Sequence, residues 1–330
     1  MSSNGFVRNT LVAIEKFLHP HLGPSMGMEG RKVSTPAGDL FVYEDTKGTG
    51  APVVLVHSVN AAASSYEMRP LFELLLGRKP VLAFDLPGFG RSERGPREYN
   101  RELYRTAILA MVERAARRRG GPVHVVALSL GCEFAAAAAL ERPESVLSLT
   151  MISPTGLGSS RARMQENAKS GRSERALRAL SIPLVGAPLY AALASRPSIH
   201  YFLSKSFVGS VDEGLERYAY ASAHQIGARY APLAFLSGVL FDPEVTSQVY
   251  EKLSCPVLVI HDEDAYTDFT RLPEMVRSSP AWVAARVEPT RGLPHFEKPE
   301  QTLLALKTFW SPLDAEDRRM GEATGLQPGY

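Results

Sequence analysis

Residues 122–140 read PVHVVALSLGCEFAAAAAL. The first seven are apolar and β-branched apart from His124, the pattern of a strand covered on both faces. From Gly131 to Leu140 small residues continue at helical length, so a strand passes into a helix across Ser129 and Leu130. The same alternation extends outward from this corner. Asp39–Glu44 (DLFVYE), Pro52–His57 (PVVLVH), Pro80–Asp85 (PVLAFD), Val146–Ile152, Pro256–His261 (PVLVIH) and Trp282–Val287 read as strands. Ser64–Leu75, Arg101–Arg119 and a closing segment from about Glu297 to Trp310 read as helices. Continuous apolar strands joined by helices imply parallel pairing, because each crossover must cover the sheet. The expected class is α/β, with a doubly wound, mostly parallel sheet.

The alternation breaks between residues 155 and 254. Helical stretches (Arg161–Leu180, Pro188–Ala194, Asp212–Tyr220) are interrupted by Pro183, Pro188, Pro197 and Pro232, and no comparable strand appears. A strand-poor run of that length reads as a helical cap inserted into a core of residues 30–154 and 255–310. Residues 1–29 carry an amphipathic helix with Val7, Leu11, Ile14 and Leu18 on one face, expected to dock on the body rather than on lipid. Residues 311–330 read as a frayed polar tail.

Composition narrows the class. The chain has 37 basic and 35 acidic residues for a net +2, with 45% hydrophobic residues, a globular balance without a nucleic-acid footprint. No apolar run reaches the roughly 18 residues of a transmembrane segment, and Glu15 and Lys16 interrupt what a secretory leader would keep apolar. A cytoplasmic protein is expected. Cys132 and Cys255 lack metal-site spacing and are expected to remain free thiols. No phosphate loop, metal cluster or nucleotide fingerprint is present, so no cofactor is implied.

The residue with the clearest chemical prospect is Ser129. At a strand-to-helix corner with Ala127 and Gly131 two positions to either side, it is either an ordinary turn residue or an exposed nucleophile, with the Leu130 N–H aimed at a developing oxyanion. Five stretches together resemble the α/β-hydrolase superfamily over most of residues 30–310: VVLVHSVNAAASSYEMRPLFELL, FDLPGFGRSER, VVALSLG, PVLVIHDEDAYTDF and GLPHFEKPE. The resemblance implies an eight-stranded core, a helical cap, and a serine, acid and histidine in that chain order.

Three positions depart from the pattern. Ser58 stands after His57 where the superfamily usually has glycine, Ala265 falls at the acid position, and Gly292 at the histidine position. If the acid and base loops have shifted together, Asp264 orients His295 and His295 serves Ser129, with the N–H groups of Leu130 and Ser58 holding the oxyanion. Asp262 and Asp268 are alternative acids, and His261 and His57 alternative bases, although His57 is usually structural in this fold. Otherwise His295 packs above the closing helix and the site is degenerate.

The expected reaction is cleavage of, or acyl transfer from, an ester or thioester with a sizeable apolar part. The apolar stretch from Ile182 to Leu240 would build the acyl pocket. The cap's basic residues Arg161, Arg163, Lys169, Arg172, Arg175 and Arg178, set against Glu166 and Glu174, leave room for an acyl-carrier or coenzyme A thioester as the acyl source. The rival readings are a non-hydrolytic lyase or cyclase on the same fold, and a small-molecule binder without catalysis.

Overall fold

A computed structural model describes residues 19–158 and 171–324. The amphipathic face expected at residues 6–18 and the first part of the helix expected from Arg161 lie outside the described residues. Eight strands form one sheet: β1 (Arg31–Thr35), β2 (Gly38–Asp45), β3 (Val53–Val56), β4 (Val81–Phe84), β5 (Val123–Leu128), β6 (Val146–Ile152), β7 (Val257–Glu263) and β8 (Trp282–Arg291). Their order is β1-β2-β4-β3-β5-β6-β7-β8. β1 and β2 run antiparallel to their neighbours, and every pairing from β4 to β8 is parallel. β1 was not foreseen. Its sequence, RKVST, is mostly polar, and only its pairing with β2 makes it a strand.

Every residue of β3, β4 and β5 is buried, as expected for central strands between two helical layers. On one face lie α2 (Arg101–Arg119), α3 (Gly131–Glu141) and α10 (Leu272–Ser278), contributing Ile108, Val112, Phe134 and Leu272 to the larger core. The other face is covered by a 3-10 turn (Ser65–Met68), α1 (Arg69–Leu75) and α12 (Pro299–Thr324), with Phe72, Leu306 and Trp310 at its centre.

α12 corrects the expected frayed tail, because helix persists fourteen residues past Trp310, to Thr324. Asp314 explains this. Its carboxylate accepts from Lys79 Nζ at 2.7 Å and pairs with Nε2 of the buried His124 at 3.3 Å, which stacks on Trp310. Burial alone would raise the Asp314 carboxyl, but these two partners hold it well below the usual carboxylate range.

Between β6 and β7 stand α4 (Arg172–Ser181), α5 (Pro183–Leu193), α6 (Arg196–Ser204), α7 (Glu213–Ala223), α8 (Tyr230–Ser237) and α9 (Val245–Gln248). They have a small core of their own around Tyr190, Ile199, Ala219 and Leu233. They also pack on loops that leave the C-terminal strand ends: Ala62 joins that core, Ala231 closes on Gly88, and Thr246 bonds Gly156 O. Ala231, Leu240, Val245 and Tyr250 belong to the main core.

Candidate active site

Ser129 follows β5 directly and has φ 52°, a left-handed backbone that side-chain-bearing residues rarely adopt. Holding it there costs roughly 1–3 kcal/mol, which the surroundings must offset. They do so with bonds on both sides: Ser129 N–H donates to Ile152 O at 2.9 Å, and Ser129 O accepts from Cys132 N–H at 3.0 Å. A Cβ at Gly131 would stand 2.4 Å from His57 O, so only glycine lets α3 begin this close to the β3 exit. The Ser129 hydroxyl meets no hydrogen-bond partner among the described residues. Ser129 is half-buried at the N-terminus of α3, where the helix dipole favours negative charge.

Beside the elbow is the β3 exit, and here the structure corrects an expectation. Ser58 N–H does not face the serine; it donates to Glu67 Oε2 at 2.9 Å. Asn60 Nδ2 binds the other Glu67 oxygen at 2.9 Å and Ser58 Oγ at 2.8 Å. Burial raises the Glu67 carboxyl against the pull of those donors. Among the described residues nothing accepts from the N–H groups of Val59 or Leu130. Asn60 and Glu67, which hold this turn, are residues that sequence reasoning missed. The polar pattern Ser58-x-Asn60 followed by Glu67 inside an apolar helix approach was the available signal.

His57 is structural. Its Nδ1–H donates to Ser58 O at 2.5 Å and its Nε2 accepts from Leu86 N–H at 2.9 Å, leaving no ring nitrogen for catalysis. Burial outweighs the nearby Asp85 and brings its pKa down to about 4. His261 is half-buried with its ring against Phe269 at 5.1 Å, and burial with the charge of Arg286 lowers its pKa. It makes no bond to Ser129.

The acid and base loops do not close into a relay. Asp264 Oδ1 accepts from Tyr266 N–H at 2.7 Å and Thr267 N–H at 3.2 Å. Its second oxygen looks toward Gly292, where a Cβ would stand 3.2 Å away. Burial raises the Asp264 carboxyl despite the two N–H donors. His295 is fully buried on α11 (Pro294–Glu297), with Nε2–H donating to Glu67 O at 2.6 Å and Nδ1 without a partner. Neither ring nitrogen bonds Asp264 or Ser129. The physical reason is that α11 begins two residues after Gly292 and carries position 295 inward beneath the 3-10 turn. Burial pulls the His295 pKa to about 4, so it is neutral at pH 7. Asp262 is engaged with Arg286 Nε at 2.8 Å and Thr290 N–H at 2.8 Å, joining β7 to β8. Asp268 caps its own turn through Thr270.

The Alpha/beta hydrolase family profile matches residues 53–305. The chain belongs to that family. A haloalkane dehalogenase of Agrobacterium fabrum is 29% identical over 135 residues, which span 41% of this chain and only 42% of that protein. Among solved structures, a serine hydrolase involved in carbazole degradation superposes with a TM-score of 0.67 at 19% identity, covering 86% of this chain and 98% of its own. An esterase from Thermogutta terrifontis does so with a TM-score of 0.62 at 19% identity, covering 87% and 100%.

In this member of the α/β hydrolase family, then, the serine stands on a left-handed elbow, and the N–H groups of Leu130 and Val59 meet no acceptor among the described residues. The structure places the half-buried Asp264 carboxylate near Gly292, and it sends the loop histidine elsewhere. Among the described residues no three His, Cys, Asp or Glu side chains cluster as a metal would require. Cys132 and Cys255 are unbridged, and the Cys132 thiol donates to Ala127 O at 3.2 Å.

Proposed function

We propose that the chain is a serine hydrolase that cleaves, or transfers the acyl group from, an ester or thioester with a sizeable apolar part, through an acyl-enzyme at Ser129. The observation that carries the reading is Ser129 itself, held at φ 52° at a helix N-terminus with its hydroxyl unbonded. Ser129 Oγ attacks the acyl carbon and the carbonyl oxygen takes its charge between the Leu130 and Val59 N–H groups. With His295 locked on Glu67 O, the serine proton passes through water to Asp264, whose second oxygen is unbonded, and from there to the departing alcohol or thiol. Water or an acceptor alcohol then releases the acyl group. Dehalogenation is disfavoured by the same residue: displacement of halide by a serine oxygen leaves an ether, which offers water no carbonyl to attack.

A second reading, a binder without turnover, draws support from Gly292 and from the captured His295. A panel of p-nitrophenyl esters and acyl-coenzyme A thioesters of increasing chain length separates the two. The hydrolase reading expects turnover that rises with chain length and an acyl adduct on Ser129 by intact mass, both absent in Ser129→Ala. No adduct with any member of the panel would leave the binder.

A further inference from the structure

Helix α5 is apolar throughout except for the Tyr190 hydroxyl, which bonds Ala223 O at 2.8 Å. Gly186 and Tyr190 are its buried positions. The outward face consists of Leu184, Val185, Pro188, Leu189, Ala191 and Ala192, every one exposed and none polar. Leu184 is 88% exposed, and Ile182 at the turn before it is 50% exposed. A helix that is apolar all round belongs in a core or in lipid. Left facing water, such a face marks an interaction surface.

Charge indicates what covers it. From Arg172 to Lys205 the chain has five basic residues (Arg172, Arg175, Arg178, Arg196, Lys205) and one acid, Glu174. That stretch is +4 within a chain of net +2, so the remainder sums to −2. Arg178 stands in the last turn of α4, which meets α5 at 93°, and Arg175 lies one turn earlier. Lys205, at the end of α6, lies over the exposed Tyr201 ring at 5.2 Å. Apolar side chains edged by arginine, lysine and aromatic rings are the composition of an element that lies in a bilayer interface.

We propose that this face docks on an anionic lipid surface. Leu184, Val185 and Leu189 enter the acyl boundary while Arg178 and Lys205 sit at the headgroups. No single helix among the described residues is long and apolar enough to cross a membrane; α4 and α5 reach that length and apolarity only as a pair bent by 93°, and the contact proposed is a peripheral one. Behind the α4–α5 turn lies a cavity of about 250 Å³, lined on one side by apolar residues such as Leu177, Leu180 and Leu233 and on the other by the charged Arg97, Glu98 and Arg229. An acyl chain leaving the bilayer at this point meets the apolar side of that cavity, with charged residues opposite.

The test is binding and does not depend on turnover. The full chain is sedimented with sucrose-loaded vesicles of phosphatidylcholine alone and of phosphatidylcholine with phosphatidylglycerol, at low and high salt, and its mass is followed by light scattering. The proposal expects co-sedimentation with the anionic vesicles, weakened by salt and by R178Q/K205Q. Leu184→Ser and Leu189→Ser should each reduce the partition coefficient by roughly tenfold or more, with an unchanged unfolding midpoint. Absence of vesicle binding, or binding indifferent to both leucines, overturns it. So does a dimer that L184S/L189S dissociates without any vesicle binding, because the face is then covered by a second copy.

Discussion

The two halves of the site are built differently. The nucleophile half, where β3 and β5 end, is held at every point: Ser129 between β6 and α3, His57 between Ser58 and Leu86, and Glu67 on Ser58 and Asn60. The half that follows β7 and β8 has an acid aimed at a glycine, and its histidine is bonded to a backbone carbonyl on the opposite side. One network even joins the two, since Glu67 holds the β3 turn by its carboxylate and His295 by its carbonyl. A side chain that looks like a catalytic base in sequence thus serves as a buttress for the turn after β3.

Acidification should show the largest effect. The imidazoles of His57 and His295 remain neutral in the fold until about pH 4, whereas in the unfolded chain they take up a proton near 6.5. Stability is therefore lost as pH falls from about 6.5 to 4, by up to about 3 kcal/mol for each histidine. Glu133, buried in the first turn of α3 and raised by that burial to about 7, acts in the opposite sense. Its protonated form stabilises the fold as pH falls from about 7 toward 4.5. Denaturant midpoints measured across this range should show a shallower acid loss in His295→Asn and a steeper one in Glu133→Gln. Identical slopes for all three proteins would remove the buttress role.

Next in size is Glu67→Ala, which leaves the Ser58 N–H and the Asn60 amide without their acceptor. It should lower unfolding free energy by about 2–4 kcal/mol in urea titration. Ser129→Gly works the other way, relieving the left-handed backbone and raising stability by about 1 kcal/mol by calorimetry while abolishing acylation. Asp264→Asn retains an oxygen for Tyr266 and Thr267 and should change stability by less than about 1 kcal/mol, so the loose half costs least to alter. Turnover, by contrast, should collapse in that variant.

How much of this was legible in the sequence follows from how local each feature is. The β5–Ser129–α3 corner is encoded within ten residues, and the apolar runs of β3, β4, β6 and β7 identify themselves. β1 does not, because RKVST becomes a strand only by lying beside β2. The roles of Ser58 and Glu67 could not be separated without knowing that residues nine apart meet. The base loop was hardest to read: whether His295 reaches the strand ends depends on where α11 begins after Gly292. The tail misled for a similar reason, since Asp314 reads as polar surface until Lys79 and His124 are placed beside it.

The most direct test of the account is the labelling rate by a fluorophosphonate at pH 7, read by intact mass and peptide mapping for the parent, Ser129→Ala and His295→Asn. The account predicts one adduct on Ser129, none in Ser129→Ala, and a rate in His295→Asn within about threefold of the parent, because a positioning residue on Glu67 O does not take the serine proton. A parent that never labels, or a His295→Asn rate lower by orders of magnitude, would contradict it.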